Sequence, residues 1–194
     1  MAVQSWAVLI GSFLLGAIPS AYLIARVTAG VDIRTVGDGN VGARNVYMSV
    51  GRWAGVAVAV FDIGKGAAAV VMARALGESE GLARAAGLAA VLGHDFTPFL
   101  NFHGGQGMAA ILGIFALFYP WELAAALFVA AVVWVIAHHW DLSWFVAFGF
   151  FAASLWFTGH TVAEALYPVF MLPTIGLKKA LQVWQAYRAA AVHQ

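Results

Sequence analysis

The sequence predicts an all-α integral membrane protein with about seven transmembrane helices, and two observations carry this prediction. Of the 194 residues, 63% are apolar and only 10% are charged, whereas a soluble domain carries roughly 25% charged residues. Asp, Glu, Lys and Arg are absent between residues 1 and 25, 96 and 121, 123 and 140, and 142 and 163. The composition therefore excludes a soluble globular enzyme.

The residue counts also exclude cysteine-dependent sites and nucleic-acid binding. The chain contains no Cys, which removes disulfides, thiolate nucleophiles and zinc–thiolate sites. The net charge of +1 gives no basis for binding nucleic acid. The expected partner is the lipid bilayer.

The predicted spans lie near residues 4–26, 53–75, 81–94, 107–119, 121–138, 142–158 and 163–177. Each is expected to be a helix, because backbone groups in lipid must satisfy their own hydrogen bonds. The third, fourth and seventh are shorter than the roughly 20 residues that a full crossing needs. No basic residue precedes the first span, so we interpret it as a retained helix rather than a secretory signal.

The positions of Lys and Arg predict the N-terminus outside and the C-terminus in the cytoplasm. The first loop and its borders carry Arg26, Arg34, Arg44 and Arg52, and the tail carries Lys178, Lys179 and Arg188. Seven crossings place both segments on one side, and cationic segments stay cytoplasmic. Loops 27–52, 94–107 and 138–141 would then face the cytoplasm. Residues 1–177 are expected to form a single transmembrane domain, and residues 178–194 a basic amphipathic cytoplasmic tail along the anionic leaflet.

The first loop contains Gly37-Asp38-Gly39-Asn40-Val41-Gly42, which matches the GxGxxG pattern. A dinucleotide site is not favoured, because that fingerprint needs a preceding strand and a membrane helix precedes this one. Glycines also let backbone amides converge on an anion. The loop is therefore a candidate anion site, flanked by Arg34 and Arg44 and supplied with amide donors by Asn40 and Asn45. The alternative is a turn-rich loop without a ligand.

Asp62 and Lys65 lie within an apolar stretch and share one helix face, since they are three residues apart. Ionisable groups at membrane depth are expensive and are usually functional. Two interpretations remain open. The pair neutralises itself and fixes packing, or Lys65 faces a polar cavity and an anionic substrate.

A third segment, Gly93 to Gly107, combines His94 with a glycine-rich turn that opens an apolar helix. The first amides of a helix bind anions well, and His94 is either a general base, a hydrogen-bond donor or a structural residue. His138, His139 and His160 show no clear ligand spacing and no carboxylate at a helical interval, so a metal site is not expected. The chain also lacks a GxSxG elbow. Acyl transfer here would depend on positioning, with a substrate hydroxyl attacking directly.

Taken together, these segments resemble the bacterial acyl-phosphate-dependent glycerol-3-phosphate acyltransferases, the PlsY family. The matching pieces are Gly16 to Leu23, Asp32 to Arg34, Gly37 to Asn45, Asp62 to Gly66, and Gly93 to Gly107. The resemblance covers residues 11–113, and the remainder matches by hydropathy alone. It implies an enzyme of the bacterial inner membrane, with a cytoplasmic active face. The enzyme would move a fatty acyl group from acyl phosphate to glycerol 3-phosphate, giving lysophosphatidic acid without a metal or other cofactor.

The resemblance also implies a set of site residues. The expected catalytic residues are Asn40, Lys65 and His94. The expected substrate- and phosphate-binding residues are Arg34, Gly37, Asp38, Gly39, Gly42, Arg44, Asn45, Gly104, Gly105, Gln106 and Gly107.

The chain departs from the family pattern mainly in charge. Similar proteins usually have Ser at the position of Asp38, Thr at Arg44, Arg near Met48, Lys at His103 and at Gln106, and Thr at Ala110. Arg44 either replaces part of the lost positive charge or pairs with Asp38. These departures motivate a second hypothesis, in which a relative without catalysis binds a lipid or a partner protein. A third is a small transporter that uses the Asp62–Lys65 pair, although no inverted repeat is visible.

Overall fold

The computed structural model of the chain describes residues 2–171 and Trp184, and the regular elements in this part are all helical. The helices are α1 (Ala2–Ala17), α2 (Ser20–Ala29), α3 (Ala43–Ser49), α4 (Arg52–Ala75), α5 (Glu80–Asp95), α6 (Met108–Phe118), α7 (Pro120–Ala137), α8 (Trp140–Phe157) and α9 (Val162–Met171). Short 3₁₀ turns cover Ile33–Thr35 and Pro98–Leu100. The all-α prediction is confirmed. Apart from Trp184, the predicted tail 178–194 lies outside the described residues.

Among the described residues, four helical segments are long and apolar enough to cross a membrane: Val3–Ala29, Arg52–Ala75, Pro120–Ala137 and Trp140–Phe157. The predicted spans 81–94, 107–119 and 163–177 correspond to α5, α6 and α9, which are shorter. A helix is thus present at each predicted position within the described residues. Seven crossings, and the orientation of the termini, stay predictions.

Local signals explain several helix ends. The backbone of Gly30 has φ 70°, a left-handed conformation that suits glycine, and its N–H closes the last turn of α2 on the Arg26 carbonyl. Ser79 precedes α5, and its hydroxyl accepts a hydrogen bond from the Leu82 N–H at 3.3 Å. Pro120 stands in the first turn of α7, where a missing N–H costs nothing.

The predicted first span, 4–26, is two helices rather than one. Proline has no N–H to donate, and its ring clashes with the carbonyl four residues earlier, so Pro19 interrupts the helix after Ala17. Helical hydrogen bonding resumes when the Leu23 N–H donates to the Pro19 carbonyl at 3.0 Å. The break leaves carbonyl groups inside an apolar span that other side chains must satisfy.

The predicted loop 27–52 contains the short helix α3. Seven residues are too few for a stable isolated helix, so its stability must come from tertiary packing. Val46 is fully buried in a cluster that also contains Ala21, Ile33 and Val58. The sequence alone did not show this packing.

Up to Ile114 the chain forms one compact unit, in which α1 and α5 pack at close range. A Cβ at Gly16 would collide with the backbone of Ala90, and one at Gly93 would collide with the backbone of Phe13 and Ala17. Small residues therefore let the two backbones approach closely, as is common between helices in membranes.

Phe115 begins a second compact unit, which contains α7, α8 and α9. The Nε2 atom of His160 lies 3.0 Å from the Glu122 Oε1 atom, and its Nδ1 atom lies 3.8 Å from the Glu164 Oε2 atom. The expectation that His160 has no carboxylate at a helical interval is therefore wrong. Glu164 stands four residues later, where a helix brings the two side chains together.

Replacing His160 with Ala should lower the free energy of unfolding by about 1–3 kcal/mol, because the Glu122 carboxylate would lose a hydrogen-bond partner. Glu122 is only 9% exposed, so water can replace little of the lost hydrogen bonding. Thermal unfolding followed by circular dichroism in detergent would measure the loss. His138→Asn is the matched control, because the His138 side chain is exposed. The backbone of His138 is in the left-handed conformation, with φ 49°, which Asn also adopts. Equal midpoints for the wild type and His160→Ala would contradict this prediction.

Candidate active site

A small pocket lies at the break between α1 and α2. Its lining is partly polar and consists of Ile18, Pro19, Ser20, Val41, Lys65, His94, Thr97, Gly104 and Gly105. Four of these, Lys65, His94, Gly104 and Gly105, are residues that the sequence analysis predicted for the site. The pocket therefore joins the second and third segments, and Val41 brings in the first loop.

The buried charge in this site is carried by Asp62 and Lys65. The Lys65 Nζ atom lies 2.8 Å from the Asp62 Oδ1 atom, and the side chains are 6% and 1% exposed, respectively. The prediction that the two share a helix face is confirmed, and the two side chains form an ion pair. The Ser20 hydroxyl donates to the same Oδ1 atom at 2.5 Å. Asp62 thus ties the start of α2 to the middle of α4.

Two side chains from other elements donate hydrogen bonds to the backbone carbonyls at the helix break. Lys65 donates from Nζ to the Ile18 carbonyl at 3.1 Å, and the Thr97 hydroxyl donates to the Ala17 carbonyl at 2.6 Å. Sequence reasoning assigned no role to Ser20 or Thr97. The signal that could have found Thr97 is Pro19, because a proline in an apolar span predicts orphaned carbonyls that need polar partners. Ser20 instead donates to the Asp62 carboxylate.

His94 lies between Asp62 and Gly105. It belongs to the last turn of α5 and is 7% exposed, and its Nδ1 atom is 3.6 Å from the Asp62 Oδ1 atom. A carboxylate on this side favours the tautomer with its proton on Nδ1. The opposite nitrogen, Nε2, faces Gly105, since a Cβ there would collide with it. In this tautomer Nε2 is an acceptor at the pocket.

The glycines of the third segment contribute close approach rather than amide donors. The N–H groups of Gly104 and Gly105 donate to the carbonyls of Asp95 and His94, each at 3.2 Å. The amides of these two glycines are therefore engaged within the chain, and the anion site at the start of the following helix stays a prediction. Their lack of a Cβ lets the loop fold back on the end of α5. Gln106 and Gly107, the other expected binding residues here, lie outside the lining of the pocket.

The first loop is organised by Asn45, which is only 2% exposed. Its side-chain amide donates to the carbonyls of Ile33, Val36 and Asn40 at 3.0–3.1 Å. Its Oδ1 atom accepts from the Asp38 N–H at 3.3 Å. The Asn45 amide is thus directed into the loop.

Left-handed backbone at two glycines completes the turn of this loop: Gly37 has φ 61° and Gly39 has φ 71°. The side chain of Asn40 lies against Gly42, since a Cβ on Gly42 would be 2.9 Å from the Asn40 Nδ2 atom. The loop therefore reaches the pocket through Val41, while Asn40 lies outside the pocket lining.

Both arginines expected at the first loop pair with carboxylates of the same loop. Arg34 binds Asp32 through two side-chain hydrogen bonds, of 3.0 and 2.7 Å. Arg44 lies 3.5 Å from Asp38, and both side chains are about half exposed. Pairing of Arg44 with Asp38, one of the two alternatives above, is confirmed. Neither arginine lines the pocket.

The hydrogen bonds from the Arg34 side chain lower the pKa of Asp32 to about 2, although partial burial opposes the shift. The same contact raises the pKa of Arg34. The pKa of the folded state lies below the ordinary value of 3.8, so the carboxylate stabilises the fold above that value. This contribution is lost as the pH falls from 3.8 toward about 2.

We therefore expect the unfolding midpoint of the wild type to fall more steeply than that of Asp32→Asn as the pH falls through this interval. The variant has no carboxylate at this position, and its midpoint at neutral pH should already be lower. Thermal unfolding in detergent over a series of acidic buffers tests both expectations. Parallel curves for the two proteins would show that the Asp32–Arg34 contact adds nothing to stability.

A family model, a protein relative and two solved structures that are similar to this chain all belong to one class of protein. A family model described as glycerol-3-phosphate acyltransferase matches residues 6–189. Glycerol-3-phosphate acyltransferase 1 of Deinococcus radiodurans is 43% identical over 190 residues, which are 95% of this chain and 89% of that protein.

Two crystal structures of PlsY, an integral membrane glycerol 3-phosphate acyltransferase, are also similar. Its glycerol 3-phosphate form has a TM-score of 0.83 at 28% identity, and its lysophosphatidic acid form has a TM-score of 0.81 at 27% identity. Each match covers 96% of this chain and 93% of the other.

Proposed function

The chain belongs to the glycerol-3-phosphate acyltransferase family and is an enzyme of that class, and we propose that it acylates glycerol 3-phosphate at the Lys65–His94 pocket. The donor is an acyl phosphate, and the products are lysophosphatidic acid and phosphate. The lysophosphatidic acid form of the related PlsY supports this product. No metal or other cofactor takes part in the proposed reaction.

The observation that carries this proposal is the position of Lys65. Its side chain lies within a candidate membrane span and is 6% exposed, yet it lines a pocket together with His94 and Thr97 rather than packing against apolar side chains alone. A buried cation at a cavity favours an anionic ligand, and both substrates carry phosphate. Asp62 holds the ammonium in place and partly balances its charge while the pocket is empty.

The reaction requires no covalent enzyme intermediate. The 1-hydroxyl oxygen of glycerol 3-phosphate forms a bond to the acyl carbon of the donor. The bond from that carbon to the phosphate oxygen breaks, and its electron pair leaves with phosphate. His94 accepts the hydroxyl proton on Nε2, and Asp62 stabilises the resulting imidazolium through Nδ1. Lys65 stabilises charge on the phosphate, so catalysis depends on positioning and electrostatics.

In this proposal the first loop holds the second phosphate. Arg34 and Arg44 supply positive charge, and Asn40 supplies an amide beside the pocket. Gly37, Gly39 and Gly42 shape the turn, and Asn45 holds it together. Asp38 reduces the net charge here, because it pairs with Arg44. Gln106 and the turn at Gly107 border the site from the third segment.

We further assign the pocket to the cytoplasmic face of the bacterial inner membrane. Arg26, Arg34, Arg44 and Arg52 lie in or beside the first loop, and cationic loops are retained on that side. The N-terminus would then lie outside.

The test is product formation in membranes that contain the protein. Supplied with acyl phosphate and labelled glycerol 3-phosphate, they should form labelled lysophosphatidic acid, whereas empty membranes should not. Acyl coenzyme A in place of acyl phosphate tests the donor separately. The absence of product with either donor would contradict acyl transfer.

One observation favours a second candidate, a relative that binds its ligand without turnover. Arg34 and Arg44 are each paired with a carboxylate of the first loop, which lowers the charge available to two phosphates. This candidate predicts saturable binding of labelled glycerol 3-phosphate in the same membranes without product.

A further inference from the structure

Two exposed phenylalanines flank a buried leucine in the loop between α5 and α6. Phe99 and Phe102 are 61% and 62% exposed, whereas Leu100 between them is 5% exposed. The same loop supplies Thr97, Gly104 and Gly105 to the pocket. One side of this loop therefore builds the site, and the other presents aromatic rings outward.

The backbone holds Phe102 in this outward position at a conformational cost. Asn101 and Phe102 have φ 53° and 62°, and a bulky residue with positive φ is an outlier. The Phe102 N–H donates to the Thr97 carbonyl at 2.9 Å, and the Asn101 N–H donates to the Pro98 carbonyl at 3.3 Å. The exposed ring is therefore part of a defined turn.

The position of this turn follows from Leu100. Leu100 is buried in a cluster that includes Ala25 and Val58 from two candidate spans and Ile33 and Val46 from the first loop. Ala25 is four residues from the end of the span Val3–Ala29, and Val58 is six residues from the start of Arg52–Ala75. The turn therefore packs where the ends of these two spans meet the first loop.

The surrounding sequence has the character of a lipid-facing segment. Between residues 96 and 121 the chain contains no Asp, Glu, Lys or Arg. Trp and Tyr are enriched where the bilayer meets water, and interfacial elements whose apolar face carries Trp, Phe or Leu bury that face about 5–10 Å into the boundary. A turn that packs at the ends of two candidate spans lies beside this boundary.

We propose that the Phe99–Phe102 turn is immersed in the interfacial region of the bilayer, with the boundary between lipid headgroups and acyl chains as its partner. The lipid then supports the outer side of the loop whose inner side lines the pocket. This inference goes beyond the proposed function, because it requires no particular reaction.

The lack of cysteine in the chain allows a direct test. Phe99→Cys and Phe102→Cys each create a single site for a nitroxide label. Labelled protein would be placed in vesicles of phosphatidylethanolamine and phosphatidylglycerol, and electron paramagnetic resonance would measure collisions with oxygen and with a water-soluble nickel complex. Phe128→Cys, at a 69% exposed position of α7, is the lipid control. Thr35→Cys, at an exposed position of the first loop, is the water control.

We expect both loop labels to collide preferentially with oxygen, as Phe128→Cys does, and to lose nickel collisions relative to Thr35→Cys. Preferential collision with nickel would overturn the proposal, because the turn would be in water. Few collisions with either reagent would also overturn it, since another protein segment would then cover the turn. Helicity measured by circular dichroism confirms that each labelled variant is folded, and either position decides the question alone. None of these readings depends on acyl transfer.

Discussion

Replacing Lys65 with Met is expected to abolish formation of lysophosphatidic acid and to destabilise the protein. The substitution removes the cation at the pocket and leaves the Asp62 carboxylate, which is 1% exposed, without its ion-pair partner. Breaking a buried pair by removing one member typically costs about 3–5 kcal/mol. Turnover with acyl phosphate and thermal unfolding in detergent measure the two effects separately.

The double variant Asp62→Asn with Lys65→Met is the matched control for this experiment. The Ser20 hydroxyl can still donate to an amide oxygen at position 62, and no uncompensated charge remains. We expect most of the stability to return while activity stays absent. Full activity in the double variant would show that the pair only fixes packing, which is the other interpretation that the sequence leaves open.

Gly105→Ala is expected to lower kcat/KM by about 100-fold, the usual cost of displacing a reacting group by about 1 Å. The new Cβ would collide with the Nε2 atom of His94 and with the Val41 carbonyl. One methyl group would thus displace the base and push the first loop away from the pocket. Initial rates over a range of both substrates would show the loss.

Gly149→Ala provides the control for a glycine substitution without a collision. Gly149 lies within α8, and a Cβ there meets no atom within 4 Å. Activity should be unchanged, and stability should be equal or higher by about 0.5–1 kcal/mol, because alanine suits a helix better than glycine. If Gly105→Ala retained full activity, the contact between His94 and the glycine turn would have no part in the reaction.

The helices were predictable because their causes are local in the chain. The predicted spans 53–75, 121–138 and 142–158 match α4, α7 and α8 within two residues at either end. An apolar stretch in lipid must satisfy its own backbone hydrogen bonds, so composition alone selects a helix. The Asp62–Lys65 contact was predictable for the same reason, since three-residue spacing places both side chains on one helix face.

Predictions about the loops were less complete, because loop contacts depend on distant residues. The first loop contains α3, whose Val46 is buried by other elements. The third segment was predicted from its glycines and its following helix, and the sequence did not indicate that Gly104 and Gly105 donate to the carbonyls at the end of α5. The contact of His160 with Glu122 joins residues that are far apart in the chain, whereas Glu164, four residues after His160, was already visible in the sequence and was overlooked.

By itself, the sequence determined the membrane class, the positions of the helices and three segments that carry unusual polar residues in an apolar chain. Only the tertiary structure decided which of those residues meet. It showed that Pro19 opens a gap in the first span, and that Lys65 and Thr97 donate to the carbonyls of the two residues before Pro19. The physical reason is that orphaned polar groups in an apolar interior must find partners. Which partners they find depends on packing between helices that no single segment encodes.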